Sequence, residues 1–192
     1  MNETIHHDTY PKSYLEIDAA TKASGFTMAS EVLTCSLLQT LAATKPRGKF
    51  LELGTGTGLS TSWILKGMDA HSTLLSVDND AVFLNIAQTY LTDKRLKLVL
   101  SDGEEWIKKN RNTRFDYIFA DTWHGKYFCL DETLAMLKAG GLYIIDDMLP
   151  QPNWPEGHAE KATALMGTLE HRTDITLTKM NWASGIIVAV KK

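Results

Sequence analysis

The sequence predicts an α/β fold: a doubly wound, mostly parallel seven-stranded sheet closed by an antiparallel hairpin at its C-terminal end. Three observations carry this. Short apolar runs alternate with helical segments from residue 50 to residue 145, the pattern of a parallel sheet with crossover helices. The first four runs each stop at an acidic or glycine-bearing turn. The last two β-rich runs are separated only by Asn181-Trp182-Ala183-Ser184-Gly185, which reads as a hairpin connection.

Residues 12–23 are weakly helical and end at Gly25. Residues 30–44 form a stronger helix, because Val32, Leu33, Leu37, Leu38 and Leu41 recur at helical spacing and Pro46 follows its end. Phe50-Leu51-Glu52-Leu53 is the first strand, running through a glycine loop into a helix that reaches Lys66. Thr73 to Val77 is the second, and Asp78-Asn79-Asp80 caps the helix that runs to about Leu91. Leu96 to Leu100 ends at Ser101-Asp102-Gly103, before a helix with Trp106 and Ile107 assigned to packing, as is Trp63. Phe115 to Ala120 ends at Asp121. The next helix is expected to run through Leu137 and to close on Ala139-Gly140-Gly141, a glycine C-cap ahead of the strand Leu142-Tyr143-Ile144-Ile145. A loop from Asp146 to His158 contains Met148-Leu149-Pro150-Gln151-Pro152-Asn153-Trp154-Pro155, stiffened by its prolines. A helix over Glu160–Glu170 and the strands Ile175–Met180 and Ile186–Val190 complete the chain. The whole reads as one domain, 1–192, with an N-terminal extension over 1–27 and a core over 28–192.

Composition narrows the function classes. With 44% hydrophobic and 22% charged residues, the chain has the balance of a globular domain. A net charge of −3 and a pI near 6.1 leave no footprint for nucleic acid. No apolar stretch is long enough to span a bilayer, and Met1 to Pro11 lacks a secretory pattern, so a cytoplasmic protein without a membrane partner is expected. Cys35 and Cys129, both in segments read as helices, have no metal-type spacing and read as buried thiols.

The strongest local signal is Glu52-Leu53-Gly54-Thr55-Gly56-Thr57-Gly58, between a strand and a helix. Glycines at alternate positions let a ligand lie against bare main chain, and the helix that follows aims free N–H groups at the same spot. A dinucleotide fingerprint would place its third glycine at position 59, which is Leu59. The acid Glu52 beside the loop suits the α-ammonium of an amino-acid nucleoside better than a pyrophosphate. Asp78, with Asn79 after it, ends the second strand, where an acid accepts ribose hydroxyls. Asp102-Gly103 ends the third, placed to reach an adenine amino group.

On these residues, about Gly25 to Pro150 resembles a class I S-adenosylmethionine-dependent methyltransferase, closest to the small O-methyltransferases of the catechol and caffeoyl-CoA type. The resemblance implies a Rossmann-like methyltransferase fold and S-adenosylmethionine as methyl donor. It implies cofactor contacts at Met28, Glu52, Gly54, Gly56, Gly58, Ser60, Asp78, Asn79, Asp102, Gly103 and Asp121. In that family an aspartate, a tryptophan two residues on, a lysine base and a tyrosine follow the fourth strand. Asp121, Trp123 and Tyr127 fall on this pattern, while His124 holds the lysine position and Lys126 comes two residues later. Asp121 and His124 are thus the expected catalytic pair, with His124 able to act as base near neutral pH. The family's divalent ion sits on an aspartate after strand four and an Asp-Asn pair after strand five; Asp121, Asp146 and Asp147 stand there, implying Mg²⁺ or another divalent cation. Trp154 and Trp182 are candidate walls for a flat substrate.

Transfer to oxygen of a small molecule is the leading reading. Transfer to nitrogen or carbon, an NAD-dependent oxidoreductase and a cofactor-binding module without catalysis are the alternatives. The Asn/Asp-Pro-Pro-aromatic run common in amine- and base-modifying members is absent after strand four. The segment before Met28 could help close the site or build a homodimer contact.

Overall fold

The computed structural model describes residues 4–152 and 154–192, so Met1 to Glu3 and Asn153 of the proline-bearing loop lie outside the described residues. Its helices are α1 Tyr14–Ser24, α2 Val32–Ala43, α3 Leu59–Gly67, α4 Ala81–Tyr90, α5 Gly103–Asn110, α6 Leu130–Ala135 and α7 His158–Glu170. Its strands are β1 Lys49–Leu53, β2 Thr73–Asp78, β3 Leu96–Leu100, β4 Phe115–Ala120, β5 Leu137–Ile145, β6 Ile175–Met180 and β7 Ile186–Lys191. They form one seven-stranded sheet in the order β3-β2-β1-β4-β5-β7-β6. The first five strands run parallel, and β7 inserts antiparallel between β5 and β6. The expected architecture is the observed one.

Alternation along the strands sorts side chains between two helical layers. Phe50, Tyr117, Phe119 and Ile144 face α2 and α3. Leu51, Leu53, Ile118, Ala120 and Ile145 face α5 to α7. A third cluster of Tyr14, Ile17, Cys35, Leu59 and Trp63 fastens α1 onto α2 and α3. The strand order reverses beside β1, between β2 and β4, so the crevice outside the carboxyl ends of β1 and β4 is where such a sheet binds ligands.

Two local expectations are corrected. Gly140 and Gly141 are not a helix cap: α6 stops at Ala135, and both glycines lie inside β5. Leu137 pairs with Phe115 and Leu142 with Tyr117, so the chain bulges through the glycines, with Gly140 at φ +75°. Cys129 is not helical either; it is the residue before α6, at φ +55°. Helix α7 begins two residues earlier than expected, which brings His158 onto its first turn.

Candidate active site

A cavity of about 540 Å³ opens at the carboxyl ends of β1, β2, β4 and β5. At one end the glycine loop and Asp78 form its wall; at the other stand Trp123, Tyr127, Trp154 and His158, with Asp121 between.

The loop is held by its own neighbours. Gly54, Gly56 and Gly58 all have positive φ, and a β-carbon on Gly54 would lie 2.8 Å from the Asp121 carbonyl oxygen, so glycine is required there. Asp78 accepts from the Gly56 N–H at 2.7 Å and the Asp80 N–H at 2.8 Å, tying the loop to the tip of β2. Gly56, Ser60, Asp78, Asn79 and the exposed Met28 line the cavity; Gly58 is not among its lining residues.

Glu52 is placed elsewhere. Strand alternation sends its side chain to the face of Phe50, under α3, where it is fully buried and outside the cavity. There it accepts from Ser60 at 2.7 Å, Thr61 at 2.6 Å and Ser76 at 2.5 Å. Burial raises its pKa to about 7, against the three hydroxyl bonds, which pull it down. The Glu52 carboxyl therefore ties β1, β2 and α3 together and does not face a ligand's ammonium group. Asp102 caps α5 through the Glu105 N–H at 3.0 Å and lies outside the cavity.

The turn after β4 decides the other end. Tyr127 and Phe128 donate their N–H groups to the Trp123 carbonyl at 2.8 and 3.0 Å, and Gly125 donates to Phe128 at 2.7 Å. Gly125 has φ +86°, and a β-carbon there would fall 2.4 Å from Leu53. This tight turn separates its two basic residues. His124 packs against Gly103 and lines a small neighbouring cavity with Ser101 and Asn79, outside the chamber of Tyr127 and His158. The expected base is thus on the β2–β3 side of the crevice. Lys126 turns inward, is 3% exposed and lines the main cavity. Its ammonium donates to the Asp146 carbonyl at 2.5 Å and reaches the Asp147 carbonyl at 3.5 Å. Burial lowers its pKa, opposed by the charges of Asp121, Asp147 and Asp146.

The three aspartates lie near one another but have other partners. Asp121 accepts from Ser30 at 2.8 Å, and burial together with the Asp146 charge raises its pKa to about 7. Asp146, 2% exposed, accepts from the Ser184 hydroxyl and the Asp147 N–H. Asp147, at φ +60°, takes the Trp154 indole N–H on both carboxylate oxygens at 2.7 Å. A hard divalent cation needs several oxygens converging on one point. Among the described residues, no group of three acidic, histidine or cysteine side chains is arranged to hold a metal. The donor set does not fit the ion.

Sequence reading missed His158. It is 6% exposed, stacks on Trp154 at 4.3 Å between ring centroids, and meets Trp123 and Tyr127 edge-on. Its Nε2 is 2.9 Å from the Tyr127 hydroxyl and 3.6 Å from Asp147 Oδ2. Its Nδ1 is buried with no hydrogen-bond partner among the described residues. Burial, then the Lys126 and Lys161 charges, lower its pKa, with Asp147 opposing. No local motif marks this residue; only the return of α7 to the crevice brings it in. Trp182, by contrast, is partly buried against the core, donates its indole N–H to the Leu33 carbonyl at 3.1 Å and does not line the cavity, so it is no part of the wall.

The comparisons place this geometry in a family. A family model described as "Methyltransferase domain" matches residues 51–148, just over half of the chain. The chain belongs to the methyltransferase domain family. Among the relatives of this chain, the O-methyltransferase hkm8 of Aspergillus hancockii is 31% identical over 159 residues, 75% of this chain and 61% of that protein. A Mycobacterium ulcerans protein provisionally named as an O-methyltransferase is 25% identical over 116 residues, 57% of this chain. The chain spans about half, 52%, of that relative's length. In fold it resembles an O-methyltransferase from Bacillus cereus solved in complex with SAH, with a TM-score of 0.82 at 16% identity, covering 94% of this chain and 90% of the other. Among the described residues no helix is long and apolar enough to cross a membrane.

Proposed function

We propose that this chain binds S-adenosylmethionine along the glycine loop and transfers its methyl group to a hydroxyl oxygen of a small, flat acceptor. One observation carries the reading: a single cavity runs from Gly54, Gly56 and Asp78 past Asp121 into a chamber walled by Trp123, Tyr127, Trp154 and His158. Such a two-ended site holds donor and acceptor against each other. The names and bound molecules of the relatives favour the same donor and the same acceptor atom.

Bound at the loop, S-adenosylmethionine would supply a methyl on sulfonium sulfur, whose in-line transfer would form the oxygen–carbon bond as the carbon–sulfur bond breaks, the electron pair staying on sulfur. The chain's residues do the rest. Asp78 and Asn79, which line the loop end of the cavity, would hold the ribose hydroxyls, and the indole and phenol faces would orient the acceptor ring. The acceptor's hydroxyl proton passes through the Tyr127 hydroxyl to His158 Nε2, where Asp147 faces the resulting imidazolium at 3.6 Å. His158 replaces His124 in this role because it, and not His124, shares the chamber with Asp121. No metal enters the step.

Calorimetric titration with S-adenosylhomocysteine and with NAD tests the reading. One-to-one binding of the nucleoside and none of NAD is expected. Methyl-labelled S-adenosylmethionine should then pass label to a panel of catechols and phenols. NAD binding with no response to the nucleoside would remove the proposal.

A further inference from the structure

In the resembling O-methyltransferases a divalent ion sits on the three acidic positions occupied here by Asp121, Asp146 and Asp147. The structure assigns that charge-balancing place to Lys126: its buried ammonium is this chain's own cation, and the methyl transfer needs no metal. The inference rests on the proposed reading of the site and adds a specific role within it.

Its burial and its anchoring support the assignment together. Lys126 is 3% exposed, yet among the described residues it forms no ion pair within 4 Å; its ammonium ends on the carbonyl oxygens of Asp146 and Asp147. Those carbonyls belong to the two residues that directly follow β5, so the ammonium is anchored where the chain carries two of the three carboxylates. A positive charge fixed there would repel a second cation in the same low-dielectric pocket.

The carboxylates are also turned to other tasks. Asp147 spends both oxygens on the Trp154 indole, in a left-handed backbone conformation that this bond and the proline-bearing loop hold. Asp146 has one oxygen committed to Ser184 and to the Asp147 N–H. Asp121 has one committed to Ser30. Opening a metal site would break these bonds and push a buried ammonium aside.

The position of Lys126 has its own cause. Gly125 at φ +86° has no room for a β-carbon against Leu53, and its carbonyl receives the buried Tyr143 hydroxyl. That pinned glycine sends Lys126 inward, whereas an unpinned turn would leave a lysine free to reach solvent.

The test is a Mn²⁺ titration followed by electron paramagnetic resonance, on the free protein and on the protein with S-adenosylhomocysteine. The wild-type chain should show no site tighter than about 1 mM, in keeping with a pocket whose charge is already balanced. Lys126→Met, similar in length and uncharged, leaves three carboxylates without a counter-charge and should gain at least a tenfold tighter Mn²⁺ site. Methyl transfer to a catechol probe by the wild type should be unchanged by EDTA. A stoichiometric micromolar Mn²⁺ site in the wild type would overturn the inference. So would the lack of any gain in a folded Lys126→Met protein. Should that variant fail to fold, Lys126→Arg keeps the charge and should remain metal-free, and tight Mn²⁺ binding by it would count against the assignment. Failure of S-adenosylhomocysteine to bind would instead strike the reading of the cavity, because the titration of the free protein is independent of it.

Discussion

The two ends of the cavity are built on opposite plans. At the glycine-loop end, nearly every polar group is satisfied by residues of β1, β2 and the helices directly after them: Glu52 by Ser60, Thr61 and Ser76, and Asp78 by Gly56 and Asp80. At the aromatic end, partners come from far along the chain. Ser30 meets Asp121, Lys126 meets Asp146, Trp154 meets Asp147, and His158 meets Tyr127. The first end is a rigid local cradle suited to an invariant ligand. The second is a convergence of independent segments, free to vary with the acceptor.

If the loop end is a self-contained unit, its largest internal tension should show in stability alone. The folded Glu52 carboxyl titrates near 7 against an ordinary value of 4.5, so the unfolded chain releases this proton first as pH rises. Its contribution is intact below about 4.5 and is lost as pH climbs through 7. The unfolding free energy of wild type relative to Glu52→Gln should therefore fall by up to about 3 kcal/mol between pH 4.5 and 7.5. Urea titrations at the two pH values read this directly; parallel curves for the two proteins would place the carboxyl's pKa in the ordinary range.

His158→Ala probes the aromatic end. It should lower kcat by about 100-fold while leaving S-adenosylhomocysteine affinity unchanged, as expected for loss of a proton acceptor. An equal loss in His124→Ala would reverse the assignment of the two histidines. Asp78→Ala should do the opposite: about tenfold weaker S-adenosylhomocysteine binding by calorimetry, in a protein that still folds. Trp154→Phe should have the smallest effect, a fall of roughly three- to fivefold in kcat/KM from loss of the indole bond to Asp147, with donor affinity unchanged. A Trp154→Phe variant that lost donor binding instead would show that the two ends are not separable.

The same contrast explains what could be read in advance. The strands, their order of appearance, the glycine loop and the acid at the tip of β2 are encoded within short windows, by apolar period, glycine spacing and strand-end acids. The β5 bulge was misread because glycines that follow a helix serve equally as a cap or a bulge, and the choice depends on pairing with Phe115 and Tyr117. Glu52 was misplaced because adjacency to the loop does not say which face its strand period selects. Asp102 proved to be a helix cap, the role its position before α5 also permitted.

The sequence by itself determined the fold class, the family and the loop that would cradle a ligand, because each follows from interactions between residues close along the chain. Only the tertiary structure decided that Lys126 turns in and His124 turns away, that Asp147 holds an indole, and that His158 faces Tyr127. Those outcomes depend on where α2, the loop after β5 and α7 return to the sheet edge, and such long-range packing leaves no periodic or spaced signal in the order of the residues.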